Sequence, residues 1–168
     1  MFGDPALEEG PEDRHGKVNL RLAFLHGGDP RSDDVLREVG ERPHGPGLFQ
    51  NLISNALKFH KPDTAPVVEI VAKSVNMAQY PWGAFEIQVS DNGIGFDEKY
   101  LDRIFTIFQR LHGRFEYEGT GIGLAVCRKI IYRHGGQLTA KSLPEQGATF
   151  IITLPKRQKL ESENETAK

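Results

Sequence analysis

The sequence predicts an α/β fold, a two-layer sandwich in which a mixed, mostly antiparallel sheet packs on helices. Apolar residues alternate with polar ones in several short segments, as in half-buried strands, and recur every three to four residues in two longer segments, as in helices. These segments follow one another as strand, helix, hairpin, helix, helix and hairpin. A doubly wound parallel sheet would require single strands that alternate with helices, so this order disfavours it.

Composition narrows the class of protein. A chain of 168 residues suits one domain, and its net charge of -2 provides no positive field for a polyanion, so nucleic acid is not expected as a partner. The single cysteine, Cys127, excludes an internal disulfide and is typical of a core residue in a reducing compartment. The sequence has neither a bilayer-length apolar run nor a signal-peptide pattern, which predicts a cytoplasmic domain without direct membrane contact.

The N-terminal region, residues 1–47, is predicted to consist mainly of loops. Residues 1–16 combine Gly and Pro with many charges, which favours a mobile leader. Apolar residues alternate over residues 17–24 and predict one strand. Gly, Pro and charged residues dominate the remainder, with at most a short helix over residues 33–39.

Residues 48–60 are predicted to form the first long helix, which ends before Pro62. The apolar residues of its buried face are Phe49, Leu52, Ile53 and Ala56. On another side, Asn51, Asn55 and Lys58 are spaced i, i+4 and i+7. Because asparagine is a poor helix former, two in one helix suggest a function for their amide oxygens, such as binding Mg²⁺, with the lysine near a phosphate. A solvated helix face is the alternative.

The middle of the chain is predicted to contain a hairpin and a short helix. Residues 67–75 and 85–90 have strand patterns, and the turn between them is placed at residues 80–83. Asp97 can cap a short helix that extends to Ile104.

A loop, a helix and a second hairpin follow. Residues 109–120 have no periodicity and are expected to form a mobile loop. The second long helix is predicted over residues 121–134, and two strands over residues 137–142 and 148–154. The apolar positions of this helix are Ile122, Val126, Cys127, Ile130 and Ile131. Residues 156–168 are charged and are expected to form a disordered tail.

The segment 91–95, Asp-Asn-Gly-Ile-Gly, begins with a common turn signal. No returning strand follows directly, which weakens the interpretation as a simple hairpin turn. A carboxylate at a strand end, beside two glycines, can accept a hydrogen bond from an exocyclic amine such as that of adenine. Asp91 would then discriminate adenine from guanine, which has a carbonyl oxygen at that position.

The segment 119–124, Gly-Thr-Gly-Ile-Gly-Leu, is a glycine-rich entry into a helix. It is not a dinucleotide fingerprint, because Leu124 stands where the third glycine should be, and no Gly-Lys-Ser or Gly-Lys-Thr marks a P-loop. The free amides and positive end of a helix N-terminus suit a phosphate group. A flexible hinge is an equally favoured interpretation.

Together these motifs resemble the catalytic, ATP-binding domain of bacterial sensor histidine kinases, within the superfamily that includes gyrase, the Hsp90 chaperones and MutL and shares the Bergerat ATP-binding fold. The matching segments are the N box at 51–59, the G1 box at 91–95, the F box at 105–108, the G2 box at 119–124 and a last turn at 147–150. The resemblance covers residues 48–155 and is strongest to phytochrome-type and PAS-linked kinases with a short ATP lid. In such relatives a helix enters the N box from several residues earlier, and here Pro43, Gly45, Pro46 and Gly47 are expected to interrupt that first turn.

The resemblance implies ATP and Mg²⁺ as ligands. Asn51 and Asn55 would bind the metal, and Asn51, Lys58 and Arg110 would act at the phosphates. Asp91 would bind the adenine amine, supported by Thr149. The other implied nucleotide contacts are Gly93, Gly95, Phe108, Gly119, Thr120, Gly121, Ile122, Gly123 and Leu124.

The resemblance also indicates which reaction is favoured. Gyrase-like relatives carry a water-activating glutamate where this chain has Asn51, and an amide cannot take a proton, so phosphoryl transfer is favoured over hydrolysis. The chain has no phosphoacceptor histidine box, which implies that the substrate histidine belongs to a separate dimerisation domain, with a response regulator downstream. Two other functions stay open: an ATP-binding interaction module without transfer, and a serine kinase of the anti-sigma type.

Overall fold

The computed structural model describes residues 19–22, 45–109 and 120–157, the first four and residues 45–46 through their backbone alone. Within these ranges, five strands form one sheet in the order β1-β2-β3-β5-β4, in which β1 is parallel to β2 and every other pair is antiparallel. The strands are β1 (Asn19–Leu22), β2 (Val67–Met77), β3 (Tyr80–Asp91), β4 (Gln137–Ser142) and β5 (Ala148–Pro155). The predicted α/β sandwich with a mixed, mostly antiparallel sheet is therefore confirmed.

Helices cover the sheet. Those of the described part are α1 (Gly45–Lys58), α2 (Leu101–Ile104) and α3 (Gly123–Arg133), and a 3₁₀ turn at Glu98–Tyr100 leads into α2. Asp97 caps that turn as predicted, since its Oδ1 accepts a hydrogen bond from the Lys99 N–H at 2.9 Å. No helix in these ranges is long and apolar enough to cross a bilayer.

Helix α1 begins earlier than predicted. It starts at Gly45 rather than at residue 48, so Pro46 and Gly47 lie in its first turn and the expected interruption of that turn is wrong. The reason is that the first amides of a helix have no intrahelical partner, so the missing N–H of a proline costs nothing there.

Because Gly47 is helical and a Cβ atom at this residue would meet open space, Gly47→Ala is expected to raise the free energy of unfolding by about 0.5–1 kcal/mol. Urea denaturation followed by circular dichroism measures the difference. Gly135→Ala is a matched control: its nearest neighbour would be 3.6 Å away, but its φ of +70° disfavours a side chain, so the same substitution should destabilise. Equal effects of the two substitutions would contradict the helical first turn.

The turn of the first hairpin lies earlier in the chain than predicted. Strand β2 ends later than predicted, at Met77, and β3 begins earlier, at Tyr80. The turn lies at residues 78–79, and residues 80–83, which were predicted to form it, belong to β3. Pro81 is tolerated in this strand because β5 pairs with β3 only from Ala84 onward, so one side of β3 needs no donor at that point.

The core lies between the sheet and the inner faces of α1 and α3. Leu52 and Ala56 are buried as predicted, whereas Phe49 and Ile53 pack at its edge and Leu48 is buried as well. In α3 the buried residues are Cys127 and Ile131, with Leu124 packed beside the core.

Val126, one of the apolar positions of this helix, lies outside the core, since it is 39% exposed. Its position is about 100° around α3 from Cys127, outside the stripe formed by residues 124, 127 and 131. The helix itself begins at Gly123, two residues after the predicted start at residue 121.

Several predictions lie outside the described residues. These are the leader at residues 1–16, the outer residues of the strand predicted at 17–24, the short helix at 33–39, most of the loop at 109–120 with Arg110 and Gly119, and the tail from residue 158. The division at residues 47 and 155 stays a prediction.

Candidate functional site

The Asp91 carboxylate, at the end of β3, is held by two main-chain amides. Its Oδ1 accepts hydrogen bonds from the Gly93 N–H at 2.9 Å and from the Ala148 N–H at 3.2 Å. Burial raises the pKa of this carboxyl group, although both amides act to lower it. Within the described ranges, Oδ2 has no protein donor. A partly buried acceptor without a protein partner suits a ligand that brings its own N–H group.

The loop after Asp91 packs directly on the C-terminal end of α1. The Ile94 N–H donates to the Phe59 carbonyl oxygen at 2.9 Å, and a Cβ atom on Gly93 would lie 2.4 Å from that same oxygen. Only glycine therefore fits at residue 93. This contact brings the G1 segment beside the helix that carries Asn51 and Asn55.

Asn92 has a structural function. Its Oδ1 accepts from the Val67 N–H at 2.9 Å and its Nδ2 donates to the Ala65 carbonyl oxygen at 3.0 Å, which fastens the start of β2. The sequence pattern of residues 91–95 therefore combines one candidate ligand-binding side chain with one side chain that organises the sheet.

Strand β5 lies beside Asp91. Thr149 pairs with Ser90 across the β3–β5 ladder, and their hydroxyl oxygens are 2.9 Å apart. A Cβ atom on Gly147 would lie 2.0 Å from the Asp91 carbonyl oxygen, so the turn before β5 sits directly against the carboxylate-bearing residue. The predicted cluster of Asp91, Gly93 and Thr149 is thus brought together.

The helices α1 and α3 meet at Asn51. A Cβ atom on Gly123 would lie 3.2 Å from the Asn51 Oδ1 atom, so glycine at the start of α3 allows a close approach of the two helices. The Asn51 side chain also acts to lower the pKa of the Cys127 thiol, which donates a hydrogen bond to the Leu48 carbonyl oxygen of α1 at 3.8 Å. Asn55 lies one turn further along α1, half-buried, and among the described residues its carboxamide has no hydrogen-bond partner.

Lys58 ends α1, and its ammonium group lies 4.6 Å from the centre of the Phe59 ring. It follows Asn55 on the same helix side, as the sequence pattern predicted. Asn51, Asn55 and Lys58 thus form a polar stripe along one side of α1.

The F and G2 segments meet at one hydrogen bond, from the Phe108 N–H to the Gly121 carbonyl oxygen at 3.1 Å. Phe108 is 74% exposed and has a φ of 63°, a conformation that costs a non-glycine residue roughly 1–3 kcal/mol. Thr120 is exposed, Ile122 is half-buried, and Leu124 packs beside the core. The predicted site residues Arg110 and Gly119 lie outside the described residues.

Sequence reasoning missed the contributions of Ala148, Phe59 and Ser90. The first two act through a main-chain N–H and a main-chain carbonyl, which every non-proline residue possesses, so no residue type could have signalled them. Ser90 pairs with Thr149, and that pair depends on the register of β3 against β5, which the sequence does not reveal.

Burial raises the pKa of the Cys127 thiol to about 11, so the thiol is protonated at neutral pH. We expect its reaction with a disulfide reagent at pH 8 to be slower in the folded chain than in guanidinium by at least about 100-fold, because thiolate is the reactive form. Absorbance of the released chromophore measures both rates. Similar rates in the two conditions would contradict a buried thiol on the α1–α3 contact.

Comparison with known proteins places these residues in a family. The family model described as histidine kinase-, DNA gyrase B-, and HSP90-like ATPase matches residues 47–158. Cyanobacterial phytochrome A of Nostoc sp. is 49% identical over 108 residues, which cover 64% of this chain and 13% of that protein. Phytochrome-like protein Cph1 of Synechocystis sp. is 46% identical over 113 residues, covering 64% and 14%. The chain therefore spans a small part of the length of these relatives.

Solved structures agree with this placement. The structure of full-length ShkA in complex with AMPPNP matches with a TM-score of 0.53 and 26% identity, and covers 67% of this chain and 21% of that one. The mycobacterial sensor histidine kinase MprB matches with a TM-score of 0.56 and 22% identity, over 76% and 93%, which supports the fold alone. Because the family model matches more than half of the chain, the chain belongs to the histidine kinase-, DNA gyrase B- and HSP90-like ATPase family.

Proposed function

We propose that this chain is the ATP-binding catalytic domain of a two-component sensor histidine kinase. It transfers the γ-phosphoryl group of ATP to a histidine on a separate dimerisation domain, which passes the group to a response regulator. Three observations support this proposal: the family match, the similarity to relatives named as phytochromes and histidine kinases, and the geometry at Asp91. We place the domain in the cytoplasm, where its phosphoryl donor is made.

The single observation that carries the proposal is the Asp91 carboxylate. Two main-chain amides fix Oδ1, which leaves Oδ2 as an oriented acceptor for the exocyclic amine of adenine. The hydroxyl groups of Ser90 on β3 and Thr149 on β5, 2.9 Å apart, join the two strands whose ends carry Asp91 and the Ala148 N–H.

The carboxamides of Asn51 and Asn55 fit a magnesium ion that ATP brings with it. Mg²⁺ takes oxygen ligands and is usually bound by few protein groups plus phosphate oxygens and water. Asn55 has no partner for its amide among the described residues, and Asn51 presents Oδ1 toward the start of α3. When bound, the ion neutralises charge on the phosphates, while Lys58 and Arg110 supply further positive charge there.

Asn51 also favours transfer over hydrolysis. Transfer forms a bond between the attacking imidazole nitrogen and the γ-phosphorus and breaks the bond from that phosphorus to its bridging oxygen, so that ADP leaves. The domain has to hold ATP in line and stabilise charge, for which no proton-accepting carboxylate at residue 51 is needed. A carboxamide cannot act as a general base toward water.

The test is incubation of the chain with γ-labelled ATP, Mg²⁺ and the separately purified dimerisation domain of a phytochrome-type kinase. Acid-labile, alkali-stable phosphate on the added domain supports the proposal, and the chain alone should stay unlabelled. Acid-stable phosphate on a partner serine would instead indicate the serine-kinase function. Tight ATP binding without transfer to any tested domain would favour a nucleotide-sensing module.

A further inference from the structure

Ser142, the last residue of β4, is a buried residue that joins two loops of the site. Only 6% of its surface is exposed. Its hydroxyl oxygen accepts a hydrogen bond from the Phe96 N–H at 2.8 Å and donates to the Gly147 carbonyl oxygen at 2.7 Å. The Ser142 N–H donates to the Glu98 Oε1 atom at 3.1 Å. One side chain thus ties the loop after β3 to the turn between β4 and β5.

The two joined segments are those that hold the Asp91 carboxylate. The loop after β3 supplies the Gly93 N–H, and the turn before β5 leads into the Ala148 N–H, the two donors to Oδ1. Gly147, the last residue of this turn, directly precedes Ala148 at the start of β5 and packs on the Asp91 main chain. A shift of the turn would therefore move one of the two donors.

The segments are in direct contact beside Ser142. A Cβ atom on Gly95 would lie 2.8 Å from the Gly147 carbonyl oxygen and 3.0 Å from the Ser142 Oγ atom. A second bond, from the Glu145 N–H to the Ile94 carbonyl oxygen at 2.7 Å, joins the same two segments further out. The Ser142 hydroxyl is the buried group between the two segments. Loss of a hydrogen bond destabilises a structure most where the polar groups left behind are buried.

We infer that Ser142 is a positioning residue for base recognition: it fixes the spacing between the loop after β3 and the turn before β5, and so orients the Asp91 carboxylate toward the adenine amine. This inference rests on the proposed function. Ser142 itself need not touch the nucleotide. Its effect is preorganisation, because a carboxylate held by two fixed donors loses less freedom when the amine binds.

Replacing Ser142 by alanine would leave the part-buried Phe96 N–H and the buried Gly147 carbonyl oxygen without their shared partner. The loop after β3 and the turn before β5 would then move apart so that these two groups can form hydrogen bonds with water. The affinity for ATP should fall more than that for inosine triphosphate, which presents a carbonyl oxygen where adenine presents its amine. The phosphate contacts are common to both ligands, so the ratio of the two affinities reports the base site alone.

The experiment measures Kd for ATP and for inosine triphosphate by calorimetry with Mg²⁺ present, in the intact chain and its variants. In Ser142→Ala we expect the preference for ATP to fall by about tenfold. Ser142→Thr keeps the hydroxyl and should retain the preference. Thr153→Ala is the matched control: it removes another buried hydroxyl, at the far end of β5 from Asp91, and should lower the melting temperature without changing the preference.

An unchanged preference in a folded Ser142→Ala chain would overturn the inference and leave the proposed function standing. If the unsubstituted chain showed no preference for ATP, both the proposed adenine site and this inference would be wrong. Circular dichroism checks that each variant is folded. Should the alanine variant not fold, Ser142→Cys provides the same comparison, since a thiol is a weaker hydrogen-bonding group and must also reduce the preference.

Discussion

Replacing Asn55 by alanine is expected to abolish the Mg²⁺-dependent part of ATP binding. The Asn55 carboxamide is half-buried on α1 and, among the described residues, has no protein partner, so its oxygen is available to a cation. Alanine is a better helix former, so the variant should be at least as stable as the parent. A loss of binding could then not be attributed to unfolding.

The measurement is calorimetry of ATP binding in Mg²⁺ and in a chelator. The parent should bind more tightly with the metal, and Asn55→Ala should bind equally weakly in both solutions. Ser54→Ala, at the neighbouring exposed residue of the same helix, is the control and should keep the metal dependence. Retention of the full dependence in Asn55→Ala would remove this residue from the metal site.

Asn51 should behave differently from Asn55, although the sequence presents them as equivalent. Its side chain interacts with the Cys127 thiol, whose pKa it acts to lower, and its Oδ1 atom lies against Gly123. Substitution at residue 51 therefore also disturbs the contact between α1 and α3. For that reason Asn55→Ala is the cleaner test of metal binding.

The fold was largely predictable because its elements have simple periodicities. Strand β4 alternates exposed and buried residues along its whole length, and its bounds, Gln137–Ser142, were predicted correctly. The start of α1 and the position of the first hairpin turn were predicted wrongly. A proline interrupts a helix or a strand only where the structure needs a backbone N–H donor. Pro46 and Pro81 both lie where the neighbouring structure requires none.

The site was predictable where side chains carry it and not where the main chain does. Asp91 could be identified from the sequence, because it is an acidic residue between a strand pattern and a glycine-rich loop. The carbonyl oxygen of Phe59 and the N–H of Ala148 contribute to the site only because distant segments pack together. The sequence likewise gives no sign of the hydrogen bonds that the Ser142 hydroxyl makes. Long-range contacts of this kind have no local sequence signal.

Replacing Asp91 by asparagine is expected to weaken ATP binding by about 1–3 kcal/mol, through the loss of a charged acceptor. The amide oxygen can still accept from Gly93 and Ala148, which places the new NH₂ group where Oδ2 was. Two donors would then face each other across the adenine contact. A ligand with a carbonyl oxygen at that position, such as inosine triphosphate, should lose less affinity or gain some. Calorimetry with both nucleotides measures the change.

The pH dependence of binding tests the same residue in the unsubstituted chain. Because burial raises the pKa of Asp91, its ionised form is lost on acidification at a higher pH than for an exposed aspartate, and ATP affinity should fall with it. Because the folded pKa is raised, ionisation of Asp91 begins to cost folding free energy as the pH rises through the unfolded pKa, and this cost is complete above the folded pKa. Asp91→Asn should therefore be more stable than the parent at neutral pH, and this advantage should vanish below the unfolded pKa. Asp97→Asn is the control: it neutralises an exposed carboxylate in the same loop, and asparagine preserves the helix cap. If Asp97→Asn weakened ATP binding as much as Asp91→Asn does, general charge loss rather than a specific adenine contact would explain both results.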